Sequence, residues 1–174
     1  MSESPDEDAM PGVDRNATPL VCEPMTAATL PGALRVITEF LTADPHYLAS
    51  SAAYGATDAS TTATALALFL ARPELGFVFV AREADAVVAA CVACYAISTT
   101  RGGLVIKLDD VSVLPGHLGE GIGTAMLDAL KAHVRTLGVS RIDIGCHRDN
   151  DGAWRFYERH GFVPLDEERL ACVL

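Results

Sequence analysis

A run of glycines between an apolar segment and an amphipathic helix is the feature that most constrains this chain. The run Gly119-x-Gly121-x-Gly123 follows an apolar strand that ends at Val113, and it opens a helix predicted over residues 121–137. Residues without side chains let a ligand approach the backbone closely. The first amides of a helix lack intrahelical acceptors, and the helix dipole favours anions there. The pattern therefore predicts a pyrophosphate site at the start of this helix.

Two other nucleotide-binding motifs fit these glycines less well. A P-loop requires Gly-Lys-Ser/Thr, and Gly123-Thr124 has no lysine. A dinucleotide fingerprint that starts at Gly119 would need Gly or Ala where Thr124 stands. It would also normally follow the first strand of a domain, whereas this loop lies two-thirds along the chain. On this motif alone, a flexible glycine turn that caps a structural helix stays open.

A second segment, residues 150–162, follows one predicted strand later and reads NDGAWRFYERHGF. With both segments the chain resembles the GCN5-related N-acetyltransferase (GNAT) family. The acetyl-CoA loop of that family, Val-x-Pro-x-x-Arg/Gln-Gly-x-Gly-Ile-Gly, is matched from Val113 to Gly123. Its later pattern, Asn-x-x-Ala-x-x-Phe-Tyr-x-x-x-Gly-Phe, is matched from Asn150 to Phe162. Two motifs in this order, with a strand between them, are far more specific than either motif alone.

The resemblance implies how acetyl-CoA, the co-substrate, would be held. A β-bulge would splay the strand that ends at Val113 from the strand at residues 141–146, and the pantetheine arm would enter the gap. The backbone of Val111 and Val113 would bind this arm, with the Val113 amide near the thioester oxygen. Asn150 would bind coenzyme A, although it also suits the N-cap of its helix. The pyrophosphate would be bound by the loop residues Leu118, Gly119, Glu120, Gly121, Ile122, Gly123 and Thr124.

One loop position departs from the family. Leu118 stands where Arg or Gln is usual. In the family this residue contributes mainly through its backbone amide, so the loop can still cradle a pyrophosphate. The lost side chain weakens the case for tight acetyl-CoA binding and leaves open a non-catalytic acyl-CoA-binding module.

The resemblance also implies the catalytic groups. Tyr157 matches the tyrosine that protonates the departing thiolate, a role that suits a phenol protonated at neutral pH. A core aromatic is the alternative, because Tyr157 shares a helical face with other apolar residues. No metal is required. His117, in the loop, and His147, at the end of a strand, are further candidates for the base that frees the acceptor amine.

Two adjacent carboxylates, Asp109 and Asp110, lead into the loop, and either is a candidate for the base that removes a proton from the acceptor ammonium. The segment Leu108-Asp109-Asp110-Val111-Ser112-Val113 is similar to Leu-Glu-Asp-x-x-Val of polyamine acetyltransferases and, less closely, to Tyr-Asp-Leu-x-Val of some aminoglycoside acetyltransferases. Both groups use carboxylates here to hold a cationic acceptor. Simple alternation along a strand places Asp109 and Asp110 on opposite faces, so that only one enters the acceptor cleft. A solvated pair at the strand edge is the structural alternative.

These residues predict transfer of acetyl from acetyl-CoA to a primary amine by direct attack in a ternary complex. The expected partner is a small cationic amine, polyamine-like or aminoglycoside-like. A protein or peptide amine is the second candidate acceptor, and a nucleotide-binding protein is a third hypothesis. Because members of the family are often homodimers, the resemblance also allows a homodimer.

The charge and the cysteine content limit the classes of function that the chain can have. The chain has 13 Lys+Arg against 23 Asp+Glu, a net charge of −10, which argues against a nucleic-acid partner. The five cysteines are an odd number, and the acidic start is unlike a targeting peptide, so we expect free thiols and a cytoplasmic protein. Cys91 and Cys94 lie three apart on a predicted strand and therefore face opposite sides rather than a shared zinc ion. The longest apolar run, residues 87–97, is too short to cross a membrane, which needs about 20 residues.

Hydrophobic periodicity and turn residues complete the expected layout. Residues 1–19 are predicted to be a disordered acidic tail, and residues 20–174 a GNAT-like acyl-CoA N-acyltransferase domain. The expected fold class is α/β, in the α+β sense of a mixed sheet: mostly antiparallel, with one parallel splayed strand pair and helices on both faces. Residues 46–57 look irregular. Strands are predicted at 20–25, 77–82, 87–98, 104–113, 141–146 and 162–173, and helices at 29–41, 58–70, 121–137 and 151–160.

Overall fold

The computed structural model describes residues 19–51 and 58–166. The strands are β1 (Leu20–Pro24), β2 (Gly76–Glu83), β3 (Ala86–Ser98), β4 (Gly103–Val113) and β5 (Ile142–Ile144). The helices are α1 (Leu30–Ala43), α2 (Pro45–Ser51), α3 (Ala59–Ala71), α4 (Ile122–Thr136) and α5 (Asp151–Arg159), and single 3₁₀ turns lie at Pro73–Leu75 and Pro115–His117. The predicted tail lies outside the described residues except for its last position. Within the described part, no helix is long and apolar enough to span a membrane.

The five strands form one sheet in the order β1-β2-β3-β4-β5. The first four strands pair antiparallel. Short turns join β2 to β3 and β3 to β4, whereas the helices α1, α2 and α3 lie between β1 and β2. The crossover through α4 brings β5 back parallel to β4, with Ile106 opposite Ile142 and Leu108 opposite Ile144. The predicted mixed sheet with one parallel pair is thereby confirmed.

Helices cover both faces of the sheet. On one face, Met126 and Leu130 of α4 pack with Phe79 and Leu108. On the other face, Ile37 of α1 and the only fully buried leucine of α3, Leu66, pack in a second cluster with Val80. The central strand β3 is apolar over a long run because it is covered on both sides. Its two cysteines accordingly belong to opposite faces, as predicted.

The segment after α1 differs from the expectation of irregular structure, since residues 45–51 form α2. The pair Asp44-Pro45 stops α1, as the sequence predicts, and it also starts the next helix. The Tyr47 amide donates to Asp44 Oδ1 at 2.7 Å, and Pro45 occupies the first helical position, where its missing N–H has no cost. A stop signal and a start signal therefore coincide in two residues.

The strand predicted over residues 162–173 does not begin where expected. Residues 162–166 have no regular structure, and residues 167–173 lie outside the described part. The Phe162 amide donates to Tyr157 O at 3.1 Å and the Gly161 amide donates to Glu158 O at 2.9 Å. With Gly161 at φ +80°, these two bonds form a Schellman cap on α5. The apolar residue after the glycine thus completes a helix end instead of opening a strand.

Candidate functional site

A β-bulge interrupts β4 beside its pairing with β3. Ala90 lies opposite Ser112 and Val92 opposite Asp109, so two residues of β4, Asp110 and Val111, face the single intervening residue of β3. Asp110 has φ +52°, a left-handed conformation in which aspartate is enriched among non-glycine residues. The extra residue is what changes the direction of the strand here.

The bulge also breaks the alternation of side chains along β4. Strict alternation would place Leu108 and Asp110 on one face and Val111 and Val113 on the other. In the structure Val111 and Val113 pack against the same cluster as Leu108, on the face that carries α4. The premise that Asp109 and Asp110 can be assigned to faces by counting residues therefore fails at this position.

Beyond the bulge, β4 separates from β5. Their parallel pairing ends at Leu108 and Ile144, while β4 continues to Val113 and stays paired with β3. In the described part of the chain, no strand pairs with the β5-facing edge of residues 109–113. This edge opens a gap between the two strands, at the end of the sheet where the glycine loop begins.

The glycine loop presents a row of unused amides. In residues 19–51 and 58–166, no amide from Gly119 to Thr124 donates a hydrogen bond to a protein acceptor. Gly119 and Gly121 have φ of +84° and +80°, which requires glycine, and a Cβ at either position would meet no atom within 4 Å. These glycines are thus needed for backbone shape rather than for space. A row of free amides at the start of α4 is suited to bind an anionic group such as a pyrophosphate.

The side chains of the loop point to different surroundings. Leu118 is 66% exposed, so its isobutyl group does not fill the cradle. Glu120 Oε2 lies 3.1 Å from His117 Nδ1. Thr124 Oγ1 lies 3.2 Å from His160 Nε2, a contact that connects α4 to α5. Ile122 is buried and anchors the first turn of α4 in the core.

Three elements meet beneath this loop. A Cβ placed on Gly123 would lie 3.6 Å from the Phe156 ring and 3.6 Å from Val113 Cγ2. The start of α4, the end of β4 and α5 are therefore separated by little more than one methyl group. Asn150 caps α5, with its Oδ1 accepting from the Ala153 amide at 3.0 Å. Asn150 therefore acts as the N-cap of α5, and its role in coenzyme binding stays a prediction.

Tyr157 is held firmly on α5. Its ring contacts Phe156 at 5.2 Å and Phe162 at 5.4 Å between centroids, and the second contact accompanies the Schellman cap. Burial raises the pKa of the Tyr157 phenol well above its usual range, and the nearby thiols of Cys146 and Cys91 act in the same direction. The phenol is thus protonated at neutral pH, as a proton donor must be. The same burial suits a core aromatic, so both hypotheses remain.

The cysteines that the structure describes are free, as expected, and burial raises the pKa of each thiol. For Cys91 the pKa rises to about 12. Besides burial, the charge of Asp110 raises the pKa of both Cys91 and Cys94, and Asp109 acts on Cys94 as well. Asp109 also forms an ion pair with Lys107. Lys107 lowers the pKa of Cys94, so its charge offsets part of the effect of the two carboxylates.

A contact absent from the sequence analysis joins α2 to the end of β5. The rings of His46 and His147 lie 5.5 Å apart. The Asp149 amide donates to His147 Nδ1 at 3.2 Å, so in neutral His147 the proton is on Nε2. That tautomer offers no free lone pair on Nε2, which disfavours His147 as a base in this state. His46 was missed because α2 was not predicted.

The parallel strand pair, the bulge and the glycine-rich start of α4 are the elements that the family resemblance predicts. A family model described as Acetyltransferase (GNAT) family matches residues 39–162. The chain therefore belongs to the GNAT acetyltransferase family, as the two sequence motifs predict.

Individual relatives agree with this assignment. A mycothiol acetyltransferase from Propionibacterium freudenreichii subsp. shermanii (strain ATCC 9614 / DSM 4902 / CIP 103027 / NCIMB 8099 / CIRM-BIA1) is 38% identical over 58 residues. That stretch is 33% of this chain and only 19% of the relative, so the match spans about a fifth of the relative's length.

Solved structures are similar over nearly the whole domain. A possible acetyltransferase from Clostridium difficile 630 has a TM-score of 0.75 at 15% identity, covering 89% of this chain and 97% of its own. An aminoglycoside acetyltransferase, meta-AAC0020, from an uncultured soil metagenomic sample has a TM-score of 0.63 at 17% identity, covering 89% and 94%. At these identities the likeness establishes the fold, and the predicted fold class is confirmed.

Proposed function

We propose that the protein is an acetyl-CoA-dependent N-acetyltransferase that acts on a primary amine of a small cationic molecule. The observation that carries the proposal is the row of unused amides from Gly119 to Thr124, placed where β4 leaves β5. Family membership supports acetyl-CoA as the co-substrate. The loop amides would bind its pyrophosphate, and the backbone of Val111 and Val113 would bind the pantetheine arm.

The remaining groups of the site fit a direct transfer. Bound acetyl-CoA supplies an acetyl thioester as the acyl donor. The amine nitrogen would attack the thioester carbon, and the Val113 amide would stabilise the negative charge on the thioester oxygen. As the C–S bond breaks, Tyr157 Oη would give its proton to the departing sulfur, and a carboxylate of the bulge, Asp109 or Asp110, would take the proton that the amine nitrogen loses. Exchange with solvent would then restore the phenol and the carboxylate. Holding both substrates in one site replaces several kcal/mol of barrier, because the reaction becomes effectively unimolecular. No step in this scheme requires a metal ion.

Charge supports the class of acceptor. Asp109 and Asp110 lie at the bulge beside the gap, and the chain carries a net charge of −10, which would attract a cationic acceptor. A structural neighbour is an aminoglycoside acetyltransferase. We infer that the acceptor is polyamine-like or aminoglycoside-like. A protein or peptide amine is the alternative acceptor.

Neutral substitutions can distinguish the contributions of Asp109 and Asp110 to acceptor binding. Asp110→Asn should raise KM for a cationic amine by about tenfold, the cost of losing one close charge pair, while KM for acetyl-CoA stays unchanged. Asparagine also tolerates φ of +52°, so the bulge should persist. Asp109→Asn should have a smaller effect, since Lys107 already balances that charge. Steady-state kinetics with a cationic amine and an uncharged amine of similar size measures both. An unchanged KM in both variants removes the argument for a cationic acceptor.

The decisive experiment is a panel of amines incubated with the protein and acetyl-CoA. We expect release of free thiol, and mass spectrometry should show an acetylated small polyamine or aminosugar. Tight coenzyme A binding without turnover on any amine would favour the non-catalytic module. Thermal stabilisation by NAD or ATP, but not by coenzyme A, would favour the nucleotide-binding hypothesis.

The unusual loop residue gives a second test. Leu118→Arg should tighten coenzyme A binding several-fold, because a guanidinium at this exposed position can form a charge-assisted bond to phosphate. Leu68→Arg is the matched control, since Leu68 is 50% exposed on α3 and receives the same added charge. Isothermal titration with coenzyme A compares the two. Equal affinities in both variants would mean that the loop does not hold a phosphate.

A further inference from the structure

A group of metal-ligand side chains lies at the glycine loop, and none of these side chains acts in the proposed reaction. Glu83 ends β2, while His117 and Glu120 belong to the turn and loop that follow β4. His117 Nδ1 lies 3.1 Å from Glu120 Oε2 and 3.9 Å from Glu83 Oε2. One ligand atom from each of the three residues lies within 4.8 Å of the other two. The group thus joins two parts of the chain that are more than 30 residues apart.

We propose that Glu83, His117 and Glu120 bind a single transition-metal ion of the Zn²⁺ type. Zn–N and Zn–O bonds are about 2.0–2.1 Å, so neighbouring ligand atoms around a tetrahedral ion lie about 3.3–3.4 Å apart. The two measured distances bracket that value. One imidazole and two carboxylates are a ligand set that Zn²⁺, Co²⁺ and Ni²⁺ accept, with water in the remaining position.

An imidazole between two carboxylates can also form a simple ion pair with them. The charges around this group favour a bound metal ion instead. No lysine or arginine in the described part of the chain lies within ion-pair distance of Glu83 or Glu120. The neighbouring cation, Arg82, forms an ion pair with Glu23 at 2.8 Å and donates a hydrogen bond to the Ala84 carbonyl. Two carboxylates therefore face one histidine, which is charged only when protonated. A divalent ion would satisfy both carboxylates at once and would use the neutral imidazole, the commonest metal ligand.

Such an ion would have a structural consequence for the loop. Glu83 is fixed by pairing on both sides, to Leu20 in β1 and to Ala86 in β3. Coordination would attach the turn at His117 and the loop at Glu120 to this strand end. It would also cancel two negative charges next to amides that are suited to bind an anion. The ion would position the loop rather than take part in acetyl transfer, so this inference does not depend on the proposed function.

The test uses the full chain, treated with a chelator and then titrated with Zn²⁺ alone, without coenzyme A. We expect saturable binding of one ion per chain by calorimetry, and visible absorption bands of a coordinated ion when Co²⁺ is used. His117→Gln and Glu83→Gln should each weaken Zn²⁺ binding by at least about tenfold. Glu39→Gln is the matched control, because it removes an exposed carboxylate from α1 and should leave binding unchanged.

The outcomes are distinct. The proposal is overturned if the wild type binds no ion, or if His117→Gln binds Zn²⁺ as tightly as the wild type. Circular dichroism of each variant confirms that the fold is retained, as expected for partly exposed side chains. Because no acetyl donor is present, failure here leaves the amine-panel result untouched, and failure of that panel leaves the metal titration untouched.

Discussion

Tyr157→Phe is expected to lower kcat for acetyl transfer by about 10²-fold or more, the usual contribution of a positioned general acid. The substitution removes only the hydroxyl group. The ring would keep its contacts with Phe156 and Phe162, so the end of α5 should stay in place. Affinity for acetyl-CoA should therefore change little. Stopped-assay kinetics together with calorimetric titration of coenzyme A separates the rate from the binding.

A matched control exists on the same face of the molecule. Tyr95 packs against the same core cluster, and burial raises the pKa of its phenol too. Tyr95→Phe should leave kcat near the wild-type value, because the Tyr95 hydroxyl is not on α5. If Tyr157→Phe turns over as fast as the wild type, Tyr157 is only a core aromatic. If both variants lose activity alike, the loss reflects packing rather than proton donation.

A donor with a more acidic thiol adds a second readout. Proton transfer to sulfur matters less when the departing thiolate is stable on its own. The donor for this test is an acetyl-CoA analogue that keeps the pyrophosphate but carries the acetyl group on an aromatic thiol. With this donor, the loss of rate caused by Tyr157→Phe should be smaller. A purely structural defect would slow both donors equally. This comparison tests the role of the hydroxyl without relying on the size of a single rate constant.

Local sequence signals predicted most of the framework. The stripe of Met126, Leu130 and their neighbours defined α4, and the apolar runs of β3 and β4 defined the central strands. The crossover rule then gave the parallel pair. These features depend on periodicity over many residues, so a few uninformative positions do not change the result.

Features that depend on one or two residues were harder to predict. Asp44-Pro45 was interpreted only as a helix stop, although it also caps α2. The bulge at Asp110 cannot be detected from the spacing of apolar residues. It places Val111 on the face opposite to the one that simple alternation predicts. It was anticipated only through the family resemblance. Gly161 was predicted as a helix end. The cap at this glycine also includes Phe162, which was expected to begin the last strand.

Two side-chain contacts between distant segments could not be predicted from the sequence. Glu83 approaches His117 because β2 and the end of β4 are brought together through β3, and no local pattern encodes that distance. The pair His46 and His147 arises in the same way. A candidate site composed of residues from one loop was visible in the sequence. A candidate site composed across the sheet became visible only with the fold.

Gly123→Ala should separate binding from stability, and it tests the site most directly. Gly123 occupies the first turn of α4 and, unlike Gly119 and Gly121, does not need a positive φ. Alanine is the better helix former by up to about 1 kcal/mol, so the melting temperature should stay level or rise. The added methyl would lie 3.6 Å from Phe156 and from Val113, an ordinary contact in the free protein.

That methyl should nevertheless impair coenzyme binding. It would occupy the narrow space between α4, the end of β4 and α5, where the bound ligand must approach the loop amides to about 2.9 Å. We expect the Kd for coenzyme A to rise by at least about tenfold, equivalent to about 1.4 kcal/mol. Titration calorimetry and thermal denaturation of the same sample measure the two effects together.

Gly116→Ala is the control within the same segment. A Cβ at Gly116 meets no atom within 4 Å, and its φ is not positive, so neither the fold nor the cradle should change. Coenzyme A should bind this variant with wild-type affinity. The two variants add the same methyl seven residues apart, and the melting temperature shows whether contact with Phe156 and Val113 alters the fold of Gly123→Ala. Wild-type affinity in Gly123→Ala would therefore show that coenzyme A does not pass beneath this loop, and the assignment of the amides from Gly119 to Thr124 would fail with it.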